Sequence, residues 1–299
     1  MIGICEGRVG VVTGGARGLG REHALMLARH GAKVVVNDIG AELDGTAGDV
    51  SVAQQVVNEI RAAGGEAVVN GDDVSSWDGA KRMIDQAVET YGKLDVVVNN
   101  AGILRDRMLT NMAEDEWDSV IQVHLKGTFA PTRHAAAHWR EVSKAQGGPV
   151  SGRIINTSST SGIYGNIGQT NYGAAKAGIA AFTVIAAREL RRYGVTVNAI
   201  APSAQTRMTE NLRDYTEAEI AARDPKWVGA VITYLASEDS QDITGRVIQA
   251  GNGRVAICEG WRRGASVDQI EDPAALGPHI REMCAKVRQN VGMDGEELD

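Results

Sequence analysis

Cysteine and proline are both scarce in this sequence, and each shortage excludes something. Cys5, Cys258 and Cys284 are the only three cysteines in 299 residues. Their number is odd and their spacing wide, so neither a disulfide framework nor a metal site is expected, and they read as reduced cytosolic thiols. Six prolines, with no break rich in Pro and Ser, leave no candidate linker. The chain therefore reads as one large domain over residues 1–255 followed by a partly helical extension over 256–299. Basic residues are outnumbered, 31 against 38 acidic ones, for a net charge of −7. That balance argues against nucleic-acid or membrane-surface partners. No apolar run approaches the ~18 residues that a membrane span needs. The N-terminal MIGICEGRVG also lacks the basic region and long apolar run of a signal peptide. A soluble cytoplasmic protein is expected.

Glycine, by contrast, is plentiful at 36 residues, and the first of these fall in a pattern. Val9 to Thr13 is a β-branched run that predicts a buried strand. It meets Gly14, Gly15, Gly18 and Gly20, then a helical stretch, ARGLGREHALMLARHG, that ends at Gly31. KVVVN, residues 33–37, is a second strand, and Asp38 follows it. Strand, glycine-rich turn, helix and a second strand ending in a carboxylate predict a dinucleotide-binding βαβ unit. The glycines let the backbone approach a pyrophosphate, which rests on amides at the helix N-terminus. Asp38 would accept hydrogen bonds from the adenosine ribose and repel a 2′-phosphate. Arg17, just before Gly18, is a contrary sign, because its cation could meet a 2′-phosphate. Like charges at Asp38 would cost more than Arg17 returns, so NAD is the expected cofactor.

A second constellation lies in SSTSGIYGNIGQTNYGAAK, residues 158–176. Tyr172 and Lys176 are four residues apart and share one face of a helix that starts near Asn171. Ser159 lies thirteen residues before the tyrosine. A free tyrosine titrates near pH 10, and lowering it by roughly three units takes about 4 kcal/mol of preferential phenolate stabilisation. An adjacent lysine in a site that excludes water is the kind of group that supplies this. Ser159 could then hydrogen-bond the oxygen that Tyr172 protonates or deprotonates. The bland alternative is a half-buried tyrosine with a lysine passing over it.

Taken together, the Thr-Gly-x-x-x-Gly-x-Gly turn and the Ser159, Tyr172, Lys176 spacing resemble the short-chain dehydrogenase/reductase family over residues 8 to about 252. Further motifs agree. Asp73-Val74, closing a third strand, matches the family's adenine-contacting acid, and Asn99-Asn100-Ala101-Gly102 follows the apolar strand LDVVV as its NNAG motif. The resemblance implies a single Rossmann-type α/β domain, a doubly wound parallel sheet of about seven strands with helices on both faces. It implies catalysis by Ser159, Tyr172 and Lys176. It implies NAD contacts from Gly14, Arg17, Gly18, Leu19, Gly20, Asp38, Asp73, Val74, Asn99, Ala101, Gly102, Tyr172, Lys176 and Thr206.

VVVNDIGAELDGT, VVVNNAGILRDRML and the histidine of VIQVHLKGTF narrow the likeness. They are most similar to the (3R)-hydroxyacyl-CoA dehydrogenase unit of the peroxisomal multifunctional enzyme and its stand-alone actinobacterial relatives. A 3-hydroxyacyl-CoA is thus the expected substrate, with a hydroxysteroid or steroid-CoA, or the reverse ketone reduction, as alternatives. A homodimer or homotetramer is implied as well. Arg105, Arg107 and Arg207 are candidate contacts for CoA phosphates, or else solvated surface arginines. Arg17, where the family often carries a cation when it uses NADP, is one departure from the pattern, and two more positions depart. Ser203 stands for a usual glycine, and His124 for an asparagine whose carbonyl holds a water beside the lysine. Any residue supplies a carbonyl, so the relay survives His124 on that reading, which leaves the imidazole as a packing group or a direct participant. A non-catalytic NAD sensor is the rival from another class, and it has no need of Ser159, Tyr172 and Lys176 together.

Overall fold

The computed structural model describes residues 3–42, 44–46, 49, 51–204, 215–288 and 290–293. Strands and helices alternate through the first half: β1 (Val9–Thr13), α1 (Gly18–Arg29), β2 (Lys33–Asn37), α2 (Ser51–Ala62), β3 (Ala67–Asn70), α3 (Trp77–Tyr91) and β4 (Val96–Asn99). Next come α4 (Glu114–Ile121), a π-helical turn (Gln122–Lys126), α5 (Gly127–Gln146), β5 (Arg153–Thr157), α6 (Thr160–Tyr164) and α7 (Thr170–Leu190). The remainder is β6 (Thr196–Ser203), α8 (Glu217–Ala222), α9 (Lys226–Ala236), β7 (Val247–Gly251), β8 (Arg254–Cys258) and α10 (Pro273–Lys286).

The strands form one sheet in the order β3-β2-β1-β4-β5-β6-β7-β8. Neighbours run parallel from β3 to β7, and β8 returns antiparallel to β7. The sheet has one strand more than the sequence suggests. Asn252 and Gly253, both at positive φ, turn β7 into β8, as a two-residue hairpin loop requires. The order reverses between β1 and β4. In an open parallel sheet this puts a crevice beyond the carboxyl ends of those two strands.

Successive valines and isoleucines feed opposite faces of the sheet, and both faces are apolar. Val12, Val34, Val36, Val98 and Ile155 join Leu27, Val56, Ile60 and Ile232 in a core beneath α1, α2 and α9. Val11, Val35, Val97 and Ile154 join Met83, Ile84 and Trp139 in a second core beneath α3 and α5. Each fully buried aliphatic side chain contributes about 1.5–3 kcal/mol. An aspartate at Val97 would therefore cost one such contribution and bury an unpaired charge. The helices are terminated by ordinary means: α3 starts on Ser76, whose hydroxyl accepts from Gly79 N, and ends on left-handed Gly92. The extension past β8 is different in kind, since α10 has no buried residue. No helix among the described residues is long and apolar enough to cross a membrane.

Candidate active site

The crevice floor is two turns set back to back. Gly14 leaves β1 at φ +61°, and a Cβ there would stand 2.8 Å from Ala101 Cα. A Cβ on Gly20 would stand 2.0 Å from Gly14 O. Neither position tolerates a side chain, which is why the turn is built from glycine. Asn100 locks it: its Nδ2 donates to Thr13 O at 3.1 Å and Gly14 O at 3.2 Å. Thr13 Oγ1 accepts in return from the amides of Asn100 and Ala101. The cradle is thus filled by backbone on one side and open on the other, which fits an extended dinucleotide laid across it.

Asp38 sits at the end of β2 with its carboxylate fixed toward that turn. Oδ2 accepts from Ala16 N at 3.0 Å and Oδ1 from Gly40 N at 2.8 Å. Arg17 is turned toward the loop after β2, where Nη1 donates to Ala41 O at 3.2 Å and lies 3.6 Å from Glu42 Oε1. The same loop reaches over the crevice, bringing Gly45 against Ile103. Gly14, Arg17, Gly18, Leu19, Asp38, Asp73, Val74, Ala101, Gly102, Tyr172 and Lys176 all line this one crevice. Gly20 supports it from behind.

The Asn99 side chain is turned away from the crevice. Its Nδ2 donates to Thr132 Oγ1 and Asn156 Oδ1, both at 2.9 Å, inside the protein. The crevice-facing asparagine is its neighbour Asn100. Thr206 and Arg207 lie outside the described residues.

β5 ends by presenting Ser158 and Ser159. Ser158 Oγ donates to Lys176 O at 2.8 Å, tying the strand end to α7. Ser159 caps α6, accepting from Ser161 N at 3.1 Å. Lys176 is almost fully buried, donates to Thr157 O at 2.7 Å and stands 5.5 Å from the centre of the Tyr172 ring. Burial pushes its ammonium down to about 7. Burial also pushes the Tyr172 hydroxyl up to about 12, with a hydrogen bond from Ser159 pulling it down and the charge of Asp106 pushing it up. The depressed phenol expected from the sequence is therefore absent in the chain alone. The lysine spends a proton on a carbonyl and lies over the ring, while the dry pocket penalises both charged forms.

His124 comes from the π-helical turn, a distortion that often marks functional sites. Its carbonyl already accepts the Gly127 amide. The ring faces inward instead, with Nε2 at 2.7 Å from Ile103 O and an edge-on contact to Tyr172 at 5.1 Å between centres. A Cβ on Gly102 would stand 2.3 Å from His124 Cε1, so that glycine makes room for the imidazole. Burial first, then the Lys176 charge, push the ring down to about 3, against the hydrogen bond to Ile103. The ring is held in its neutral form, and it lines the crevice beside Tyr172. Sequence reasoning missed Asn100, although the motif contained it, and the crevice residues Ile103 and Thr157.

A family model described as short chain dehydrogenase matches residues 8–217. The hydroxyacyl-CoA dehydrogenase ChsB1 of Mycobacterium tuberculosis is 49% identical over 292 residues, covering 94% of this chain and 89% of that protein. The peroxisomal multifunctional enzyme type 2 of Mus musculus is 41% identical over 284 residues, which is 93% of this chain but 37% of that larger enzyme. A crystal structure of a short chain dehydrogenase from Mycobacterium avium matches with a TM-score of 0.86 and 51% identity. That match covers 97% of this chain and 98% of the other.

Proposed function

The chain belongs to the short-chain dehydrogenase family, and from that premise we propose that it oxidises the 3-hydroxyl of a (3R)-hydroxyacyl-CoA to the ketone with NAD. The observation that carries the reading is that Tyr172, hydrogen-bonded by Ser159, and Lys176 line the same crevice as Asp38. NAD, when bound, supplies the hydride acceptor. Ser159 holds the alcohol oxygen by a hydrogen bond, and Tyr172, entering as the phenolate, takes the hydroxyl proton and becomes the neutral phenol as hydride leaves the carbinol carbon. Protonated Lys176 stabilises the phenolate before that transfer. That help is needed, because burial otherwise opposes the phenolate.

Asp38 supports NAD over NADP, and Arg17 does not oppose it while held by Ala41 O and Glu42. Two relatives, one named a hydroxyacyl-CoA dehydrogenase and one a peroxisomal multifunctional enzyme, support the acyl-CoA substrate. Exposed Phe129, Val184 and Ile185 on α5 and α7 support self-association as a dimer or tetramer. Free Cys5, Cys258 and Cys284 fit a reducing, cytoplasmic setting. The test is NADH formation across (3R)-hydroxyacyl-CoA chain lengths, with an uncharged hydroxysteroid alongside. Turnover of the steroid with none of any acyl-CoA ester would replace the substrate assignment.

A further inference from the structure

Every hydrogen-bonding atom of the Asn171 side chain is engaged, and each bond ties Tyr172 to a different part of the site. Asn171 is fully buried in the first turn of α7. Its Nδ2 donates to Arg105 O at 2.9 Å and to Glu116 O at 3.0 Å. Its Oδ1 accepts from the Tyr172 amide at 2.7 Å. Arg105 belongs to the loop that begins as the crevice turn Ala101-Gly102, and Glu116 belongs to α4. Two outer ties continue the same seam. Arg107 N donates to Gly168 O at 2.8 Å, and Gln169 Nε2 donates to Asp106 Oδ2 at 2.8 Å. The loop after β4 and the start of α7 are therefore stitched together, with Asn171 at the buried end.

We infer that Asn171 is a positioning residue, one that fixes where the Tyr172 hydroxyl stands relative to the turn at Ala101–Ile103. The inference rests on the dehydrogenase reading of the site. The chemistry of the position requires a primary amide on a short stem. Two carbonyls demand an NH2 with both hydrogens free, and the Tyr172 amide demands an acceptor. An aspartate would set a carboxylate against two carbonyl oxygens. An alanine would leave two acceptors and a donor unpaired in a buried place. Asn171 does not line the crevice, so its influence is exerted through Tyr172. The effect falls on the chemical step, where a displacement of about 1 Å costs up to about a hundredfold in rate.

The test compares the full-length wild type with Asn171→Ala and Asn171→Ser, assayed well below each melting temperature. The measurements are kcat, NAD affinity by fluorescence titration, and the kinetic isotope effect with substrate deuterated at the carbinol carbon. Expected are a kcat lower by roughly ten- to a hundredfold, NAD affinity within about twofold, and a larger isotope effect as hydride transfer becomes limiting. A lower melting temperature with kcat and isotope effect unchanged would leave Asn171 a purely structural residue. Failure of both variants to fold would say the same. If the wild type oxidises no alcohol, the dehydrogenase reading fails and this inference falls with it. If the wild type is active and the folded variants keep its kcat, the inference alone fails.

Discussion

Cofactor choice is where the structure allows a magnitude to be worked. The Asp38 carboxylate is pinned by Ala16 N and Gly40 N, so it cannot swing away from a 2′-phosphate on the adenosine ribose. Two unit charges about 4 Å apart interact by about 4 kcal/mol at an effective dielectric of about 20. Salt and solvent at a half-buried carboxylate reduce this, and about 3 kcal/mol remaining gives a hundredfold preference for NAD. Asp38→Ser removes the repulsion and a ribose acceptor together. Arg17 then matters, because its partly exposed pairing with Glu42 is worth under about 1 kcal/mol and is easily exchanged for a phosphate. Asp38→Ser is expected to bring NADP to within about tenfold of NAD in kcat/KM. Adding Arg17→Ala should take most of that NADP gain away while leaving NAD where the single variant put it. The assay is initial-rate kinetics with both cofactors on one alcohol, read as a double-mutant cycle. A wild type that prefers NADP, or a ratio untouched by Asp38→Ser, would refute the reasoning.

Tyr172→Phe should lower kcat by at least about a hundredfold, the scale of a lost general acid or base, while NAD affinity by fluorescence titration stays within a few-fold. Turnover close to wild type would remove Tyr172 from the mechanism. Acid stability should depend on His23 and His124, which burial holds down to about 3, well below the ordinary histidine value. The unfolded chain binds these protons first, so their contribution to stability is complete above about pH 6.5 and is lost as pH falls toward 3. Thermal melts from pH 7 to 4 should fall steeply, and His23→Leu should flatten the fall; an unchanged slope would count against the shift. Among the arginines, Arg105→Ala should raise the KM for an acyl-CoA ester more than it lowers kcat. Arg107→Ala should do less, because Arg107 Nε already pairs with Glu116 at 3.0 Å; equal effects from the two would put both on the substrate.

What could be read from the sequence was whatever depends on local pattern. β1 and β2 were legible because valine-rich runs ending at glycine and aspartate have few other fates. The crevice followed from strands alternating with helices. β8 was also written in the sequence, as Asn252-Gly253 between two apolar runs, but its side chains are exposed on both faces and give no burial signal. Motifs named the right neighbourhood without naming the facing side chain. Asn99 and Asn100 are adjacent at the end of one strand, and adjacent side chains there point opposite ways. One is spent inside with Thr132 and Asn156, and the other latches the glycine turn.

Electrostatics was the least legible part, and Lys176 shows why. Its spacing from Tyr172 fixes that the two side chains meet, and the structure bears that out. Whether the meeting lowers the phenol depends on how much water the pocket excludes and on what else the ammonium can reach. The second is set by Thr157 at the end of β5, a residue that helical spacing does not bring into view. The ammonium donates to that carbonyl, and burial acts on lysine and tyrosine alike, lowering one and raising the other. Both groups thus rest near neutrality, in a site where a charge developing on either would favour the complementary charge on the other. Such a pair suits a step in which a phenolate held beside protonated Lys176 is discharged by the alcohol proton.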